Sequence, residues 1–124
     1  MMKIFFISAS LSMALSVIFG AFGAHALKEK LSPEMLLVFE TAVRYQVYHS
    51  IGLFIVTFFI HLFPNANFNL VAWFFIFGIL IFSGSLYILS ITNIRWFGAI
   101  TPVGGLFFIF GWLLLAWKTY KFIL

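Results

Sequence analysis

Long apolar runs alternate with short polar breaks along this chain, and each run is long enough to cross a bilayer. A hydrocarbon core ~30 Å thick needs about 20 consecutive apolar residues in a helix. Runs of that length cover residues 4–27, 41–63, 70–92 and 97–117, which predicts four transmembrane helices. The breaks carry Lys28, Glu29, Lys30 and Ser32-Pro33-Glu34 in the first loop, Pro64-Asn65-Ala66-Asn67 in the second, and Asn93 and Arg95 in the third. Strands are excluded for most of this length, because an open sheet edge in lipid leaves unpaired backbone groups that each cost several kcal/mol. The expected fold is all-α: one integral membrane domain over residues 1–124, a compact four-helix bundle.

The first loop also predicts a helix start. Ser32 offers a capping hydroxyl, Pro33 needs no donor, and Glu34 places an acid in the first turn. Helix two is therefore expected to begin outside the membrane, with residues 35–39 at the interface. Glu40 and Arg44 fall four apart and are expected to pair on one face. Trp96 and Trp117 stand ~32 Å apart on a helix, which fits two aromatic belts one bilayer apart. Both termini share a side with the second loop. Basic residues are nearly balanced, with Lys3, Lys118 and Lys121 opposing Lys28, Lys30, Arg44 and Arg95. That balance leaves the orientation open and permits insertion either way. Met1-Met2-Lys3, the apolar run and Ala24-His25-Ala26 also match a secretory signal with its cleavage site; an uncleaved first span is expected.

Composition agrees with a membrane protein and narrows the chemistry. Hydrophobic residues are 65% of the chain, charged residues 8%, and mean hydropathy is +1.18, against about 45–50% apolar and about 25% charged for a soluble domain. The net charge of +4 comes from basic residues flanking apolar runs, where they anchor helices. The bilayer is thus the expected partner, with a homo-oligomer or a membrane partner subunit beside it, and nucleic acid is not. Zero Cys removes disulfides and thiolate metal sites. Three His and no Asp give no metal or haem ligand set, and no nucleophile, base and orienting acid come together. The expectation is no enzyme, no cofactor and no metal. A buried carboxylate for proton-coupled cation export is also missing. A small transporter or channel for an anion or neutral solute, as a dimer, is the alternative function.

Four segments carry the candidate chemistry. Helix one has small residues at every fourth position, Ser8, Ser12, Ser16, Gly20 and Ala24, a pattern that lets a neighbouring helix approach closely. Replacing Gly20 with Leu is expected to loosen the bundle. His25 follows at the helix C-terminus, where a cation is favoured. Helix two opens with Arg44, Tyr45, Tyr48 and His49. His49 lies ~12 Å deep if the core begins at Thr41, and an ionisable group there marks a function unless it is neutral and hydrogen-bonded as structural glue. Helix three carries Ser83, Ser85 and Tyr87 around Gly84, which is expected to admit a close neighbour. Helix four starts with Thr101-Pro102-Val103-Gly104-Gly105, either a tight notch for packing or a start whose backbone amides are open to ligand oxygens. All these residues fall on one membrane side, and the other half has His61 and little else polar. The expectation is a one-sided polar pocket formed by His25, Arg44, Tyr45, Tyr48, His49, Ser83, Ser85, Tyr87 and Thr101. It would bind a small or lipidic ligand or a partner subunit.

Gly20-Ala21-Phe22-Gly23-Ala24-His25-Ala26-Leu27, Tyr45-Gln46-Val47-Tyr48-His49, Phe82-Ser83-Gly84-Ser85-Leu86-Tyr87 and Thr101-Pro102-Val103-Gly104-Gly105, followed by Gly111-Trp112, also carry a resemblance. In order and spacing the chain resembles the domain-of-unknown-function 423 family of small bacterial inner-membrane proteins, itself similar to mitochondrial transmembrane protein 256. The resemblance implies a multi-pass protein of four helices in the inner membrane. It implies no activity.

Overall fold

A computed structural model describes residues 1–124 apart from Ala24. It is helical from end to end: α1 Met2–Ala26, α2 Pro33–Leu62, a 3₁₀ turn Pro64–Ala66, α3 Asn69–Gly78, a π-helical segment Ile79–Ser83, α4 Gly84–Thr92 and α5 Phe97–Phe122. α3, the π segment and α4 run on as one rod. Among the described residues, four helices are long and apolar enough to cross a membrane. The all-α, four-span membrane fold expected from the sequence is the fold observed.

The start of α2 has the predicted chemistry. The Ser32 side chain accepts from the Met35 N–H at 3.2 Å, with Pro33 at the first helical position and Glu34 in the first turn. At 30 residues the helix is ~45 Å long, longer than the hydrocarbon core, which leaves room for the interfacial first turns expected from the sequence. There Glu34 accepts two hydrogen bonds from the Arg95 guanidinium, at 3.1 and 3.3 Å, which clasps α2 to the α4–α5 loop. The guanidinium holds the Glu34 carboxyl below the ordinary carboxylate range. Glu40 and Arg44 do not pair as expected. Arg44 instead reaches back to the Thr41 hydroxyl at 3.4 Å, because helical side chains lean toward the N-terminus and a cation at this depth snorkels toward water.

α2 packs along α1 on one flank and along the α3–α4 rod on the other, and α5 packs on that rod. Phe5, Leu53, Val56, Val71, Phe75 and Phe108 are buried together in one core, with a smaller cluster of Met35, Ala42, Leu86 and Leu89 toward the other end. The four-residue stripe faces α2 only in part, at Ser12 and Ser16, and leaves the interface at Gly20. Phe5, Ala9, Ser16 and Gly23 are buried, whereas Gly20 is exposed. A Cβ at Gly20 would only touch Val43 at 3.5 Å, while one at Gly23 would collide with the Phe39 ring. Steps of four overshoot a helical turn by about 40° each, so the stripe winds away from α2. Its last member, Ala24, lies outside the described residues.

The expectation for Gly84 is corrected, and of the two readings of the Gly104 stretch the packing notch is the one observed. A methyl added at Gly84 would meet nothing within 4 Å, whereas Gly104 lies directly against the Phe82 backbone and Gly78 and Gly111 against Phe108 and Phe75. These three notches seat α5 on the rod. α5 begins at Phe97, where the 97–117 span begins, so Pro102 lies inside the helix and not in its first turn. The amides of 101–105 are therefore helix interior rather than an open helix start. The two loop residues with left-handed backbone, Asn67 (φ 49°) and Asn93 (φ 56°), are both Asn, the non-glycine type that tolerates it best. The Lys118 ammonium donates to the Ala66 carbonyl at 3.0 Å and ties the 3₁₀ turn to α5.

Candidate functional site

The membrane-embedded polar residues join into bonds between helices. Gln46 on α2 is buried and at their centre. Its amide N–H donates to the Ser12 carbonyl at 3.0 Å and the Ser12 hydroxyl at 3.4 Å, and its carbonyl accepts from the Tyr87 hydroxyl at 2.6 Å. Ser50, one turn along, contacts the Ser12 hydroxyl at 2.7 Å and donates to the backbone carbonyl of Gln46. One amide thus links α1, α2 and α4. The α3–α4 rod makes two more links: Ser83 donates to the Ala42 carbonyl of α2 at 2.7 Å, and Ser85 meets Thr101 of α5 at 2.6 Å. Two residues apart is about 200° around a helix, so these hydroxyls face opposite neighbours.

His49 closes the remaining pair. The Trp112 indole N–H of α5 donates to His49 Nε2 at 3.0 Å, and His49 Nδ1 stands 2.7 Å from the Tyr45 carbonyl. An indole nitrogen can only donate, so Nε2 must be the bare acceptor and Nδ1 must carry the proton. The ring is neutral with both nitrogens engaged, and it stacks on Phe108 with centroids 3.4 Å apart and planes 8° from parallel. Trp112→Phe removes that donor without removing the ring. It is expected to destabilise the bundle by about 1 kcal/mol, in the range of single interhelical bonds in membranes. Unfolding in mixed micelles measures this, and an unchanged midpoint would count against the bond.

Of the residues singled out from the sequence, His49, Ser83, Ser85, Tyr87 and Thr101 come together in these contacts between helices, while Tyr45 offers its backbone carbonyl to His49 within α2 and lays an exposed ring against Phe82. Arg44 and Tyr48 are exposed on the outer face of α2, and Tyr48 meets Tyr45 edge to face. His25 is exposed in the last turn of α1, apart from His49. Gln46 and Ser50 belong to the polar run of helix two, and Trp112 to the motif that carries the resemblance, but sequence reasoning did not name them as site residues and took Ser12 for a small residue alone. Gln46 was the readable signal, since an amide that deep in a membrane helix needs partners on its neighbours.

Open space borders this network and also lies nearer the helix ends: beside it, a groove of ≈ 350 Å³ is lined by apolar residues of α1, α2, α3 and the π segment together with Ser8, Ser12 and Gln46. A cavity of ≈ 230 Å³ between α1 and α2 is lined by Phe19, Gly20, Gly23, Leu36, Phe39, Glu40, Val43 and Arg44. On the other side of Phe19, Gly23 and Phe39, a second of ≈ 320 Å³ reaches Phe22, Leu27, Ile91 and the Tyr87 ring. A larger groove of ≈ 400 Å³ occupies the opposite end of α1 and α2, apolar except for Lys3, Thr57 and His61. Among the described residues, no group of three or more His, Cys, Asp or Glu is placed to hold a metal ion.

Known proteins similar to this chain are membrane proteins. A UPF0382 membrane protein of Staphylococcus haemolyticus is 50% identical over 98% of this chain and 99% of its own length. One from Staphylococcus saprophyticus is 50% identical over 97% and 99%, and YwdK, a UPF0382 membrane protein of Bacillus subtilis, is 42% identical over 98% and 100%. No solved structure matches. The family described as "Protein of unknown function (DUF423)" matches residues 19–105, most of the chain, and the protein belongs to that family.

Proposed function

We propose that this is a non-enzymatic multi-pass protein of the cell (inner) membrane that binds a lipidic ligand on the side where α1 ends and α2 begins. The observation that carries this reading is the pair of cavities meeting along Phe19, Gly23 and Phe39, with Arg44 on one wall and the Tyr87 ring on the other. With the hydrocarbon core taken to begin near Thr41, Glu40 and Arg44 stand at its edge, where in this reading a headgroup gives way to its chains. The hydroxyls and the imidazole deeper in the bundle are already bonded to one another. In this reading Arg44 and Tyr87 touch the ligand, and His25, which lines neither cavity, does not. Tyr45, His49, Ser83, Ser85 and Thr101 hold the helices that shape the groove, and Tyr48 faces lipid.

Native mass spectrometry of the purified protein, stripped of lipid and then given a lipid extract, tests the reading. Retention of about one lipid per chain is expected under conditions that strip annular lipid, since a defined cavity releases its occupant more slowly than an exposed face does. Gly20→Leu, whose side chain would project into the ≈ 230 Å³ cavity and obstruct it, is expected to abolish that retention. A wild type that keeps no lipid would overturn the reading.

A further inference from the structure

Glu40 and Arg44 occupy successive turns of α2 and line the same cavity. In water, carboxylate and guanidinium at this spacing find each other, and elsewhere in this protein Glu34 and Arg95 do so. Glu40 and Arg44 stay apart: Arg44 is turned to the Thr41 hydroxyl, and the Glu40 carboxylate makes no hydrogen bond among the described residues. A cavity with an apolar floor of Phe19, Phe39 and Val43 therefore presents one positive and one negative group side by side at its mouth.

Resting on the lipid-binding reading above, we infer that this cavity holds a zwitterionic phospholipid bearing a primary amine, with its phosphate on Arg44 and its ammonium on Glu40. The planar guanidinium suits phosphate oxygens, and a carboxylate accepts directly from an ammonium N–H. The Cβ atoms of residues one turn apart are ~5–6 Å apart, a span that the phosphate and ammonium of one headgroup can bridge. A lipid with net negative charge would meet the Glu40 carboxylate as a like charge. A quaternary choline has no N–H to donate. Beneath the headgroup, the missing side chain at Gly20, with Val43 the nearest atom at 3.5 Å, leaves room for an acyl chain along α1.

The test is native mass spectrometry of the full chain with equimolar phosphatidylethanolamine, phosphatidylcholine and phosphatidylglycerol of identical acyl chains. Wild type is expected to favour the ethanolamine lipid by roughly tenfold, the scale of one charge-assisted contact. Glu40→Gln is expected to erase its advantage over the choline lipid and raise the glycerol lipid. Arg44→Gln is expected to weaken all three. Both residues are exposed, so neither change should disturb folding, which the unfolding midpoint checks. Lys3→Gln, in the groove at the other end, should leave the pattern intact. Equal retention of the three lipids by wild type, or an unchanged preference in Glu40→Gln, would overturn the headgroup assignment. If Gly20→Leu still abolished retention in that case, lipid binding itself would stand. No retention of any lipid would overturn both.

Discussion

Gly104→Ala is expected to lower stability by about 2–3 kcal/mol, the scale of overpacking a tight contact. The added methyl would be driven into the N, Cα and Cβ atoms of Phe82. Backbone cannot rotate aside as a side chain can, so the cost falls on the whole seat of α5 against the rod. Gly84→Ala is the matched control. Nothing lies within 4 Å of its new methyl, and alanine is the better helix former by up to about 1 kcal/mol. Equilibrium unfolding in mixed micelles should therefore move the two variants in opposite directions, or leave Gly84→Ala unmoved. Equal losses in both would mean that α5 does not approach the rod at Gly104.

Gln46→Leu is expected to cost roughly 2 kcal/mol, because interhelical hydrogen bonds in membranes contribute about 0.6 kcal/mol on average, up to about 1.7, and several are lost together. The change removes the donor to Ser12 and the acceptor of the Tyr87 hydroxyl. Much of the cost should come from the phenol left without a partner. Adding Tyr87→Phe to Gln46→Leu is then expected to recover part of the loss, so that the double variant is less destabilised than the sum of the singles. Strict additivity would show that the two side chains do not depend on each other.

The number and extent of the helices could be read from the sequence because lipid demands long apolar runs, and the start of α2 could be read because Ser32-Pro33-Glu34 is a local signal. How the helices face one another could not. In water the inward face of a helix is its apolar one, but here lipid is as apolar as the core, and Phe6 and Phe22 lie outside while Ser16 and Gln46 lie inside. The four-residue stripe on α1 therefore pointed to Gly20 where the close approach is at Gly23. Gly84 and Gly104 look alike in sequence, and only the position of Phe82 in the π segment separates them. The Glu40–Arg44 pairing follows a rule for helices in water, which fails where one side chain can snorkel. The residues that sequence reasoning gathered on one membrane side include the groups that tie the helices together. The pairings of Tyr87 with Gln46 and of His49 with Trp112 were hidden because nothing local says which helix Tyr87 or His49 will meet.

The proposed division of labour gives the polar interior the task of holding the helices together and the groove between α1 and α2 the task of holding the lipid. Lipid retention and the unfolding midpoint in lipid-free detergent, measured on the same preparations of Gln46→Leu and Gly20→Leu, separate the two tasks. Gln46→Leu should unfold earlier yet retain lipid while folded, and Gly20→Leu should keep its midpoint and lose the lipid. Folded Gln46→Leu without lipid, beside Gly20→Leu with it, would refute that division and place the ligand among the polar residues of the interior.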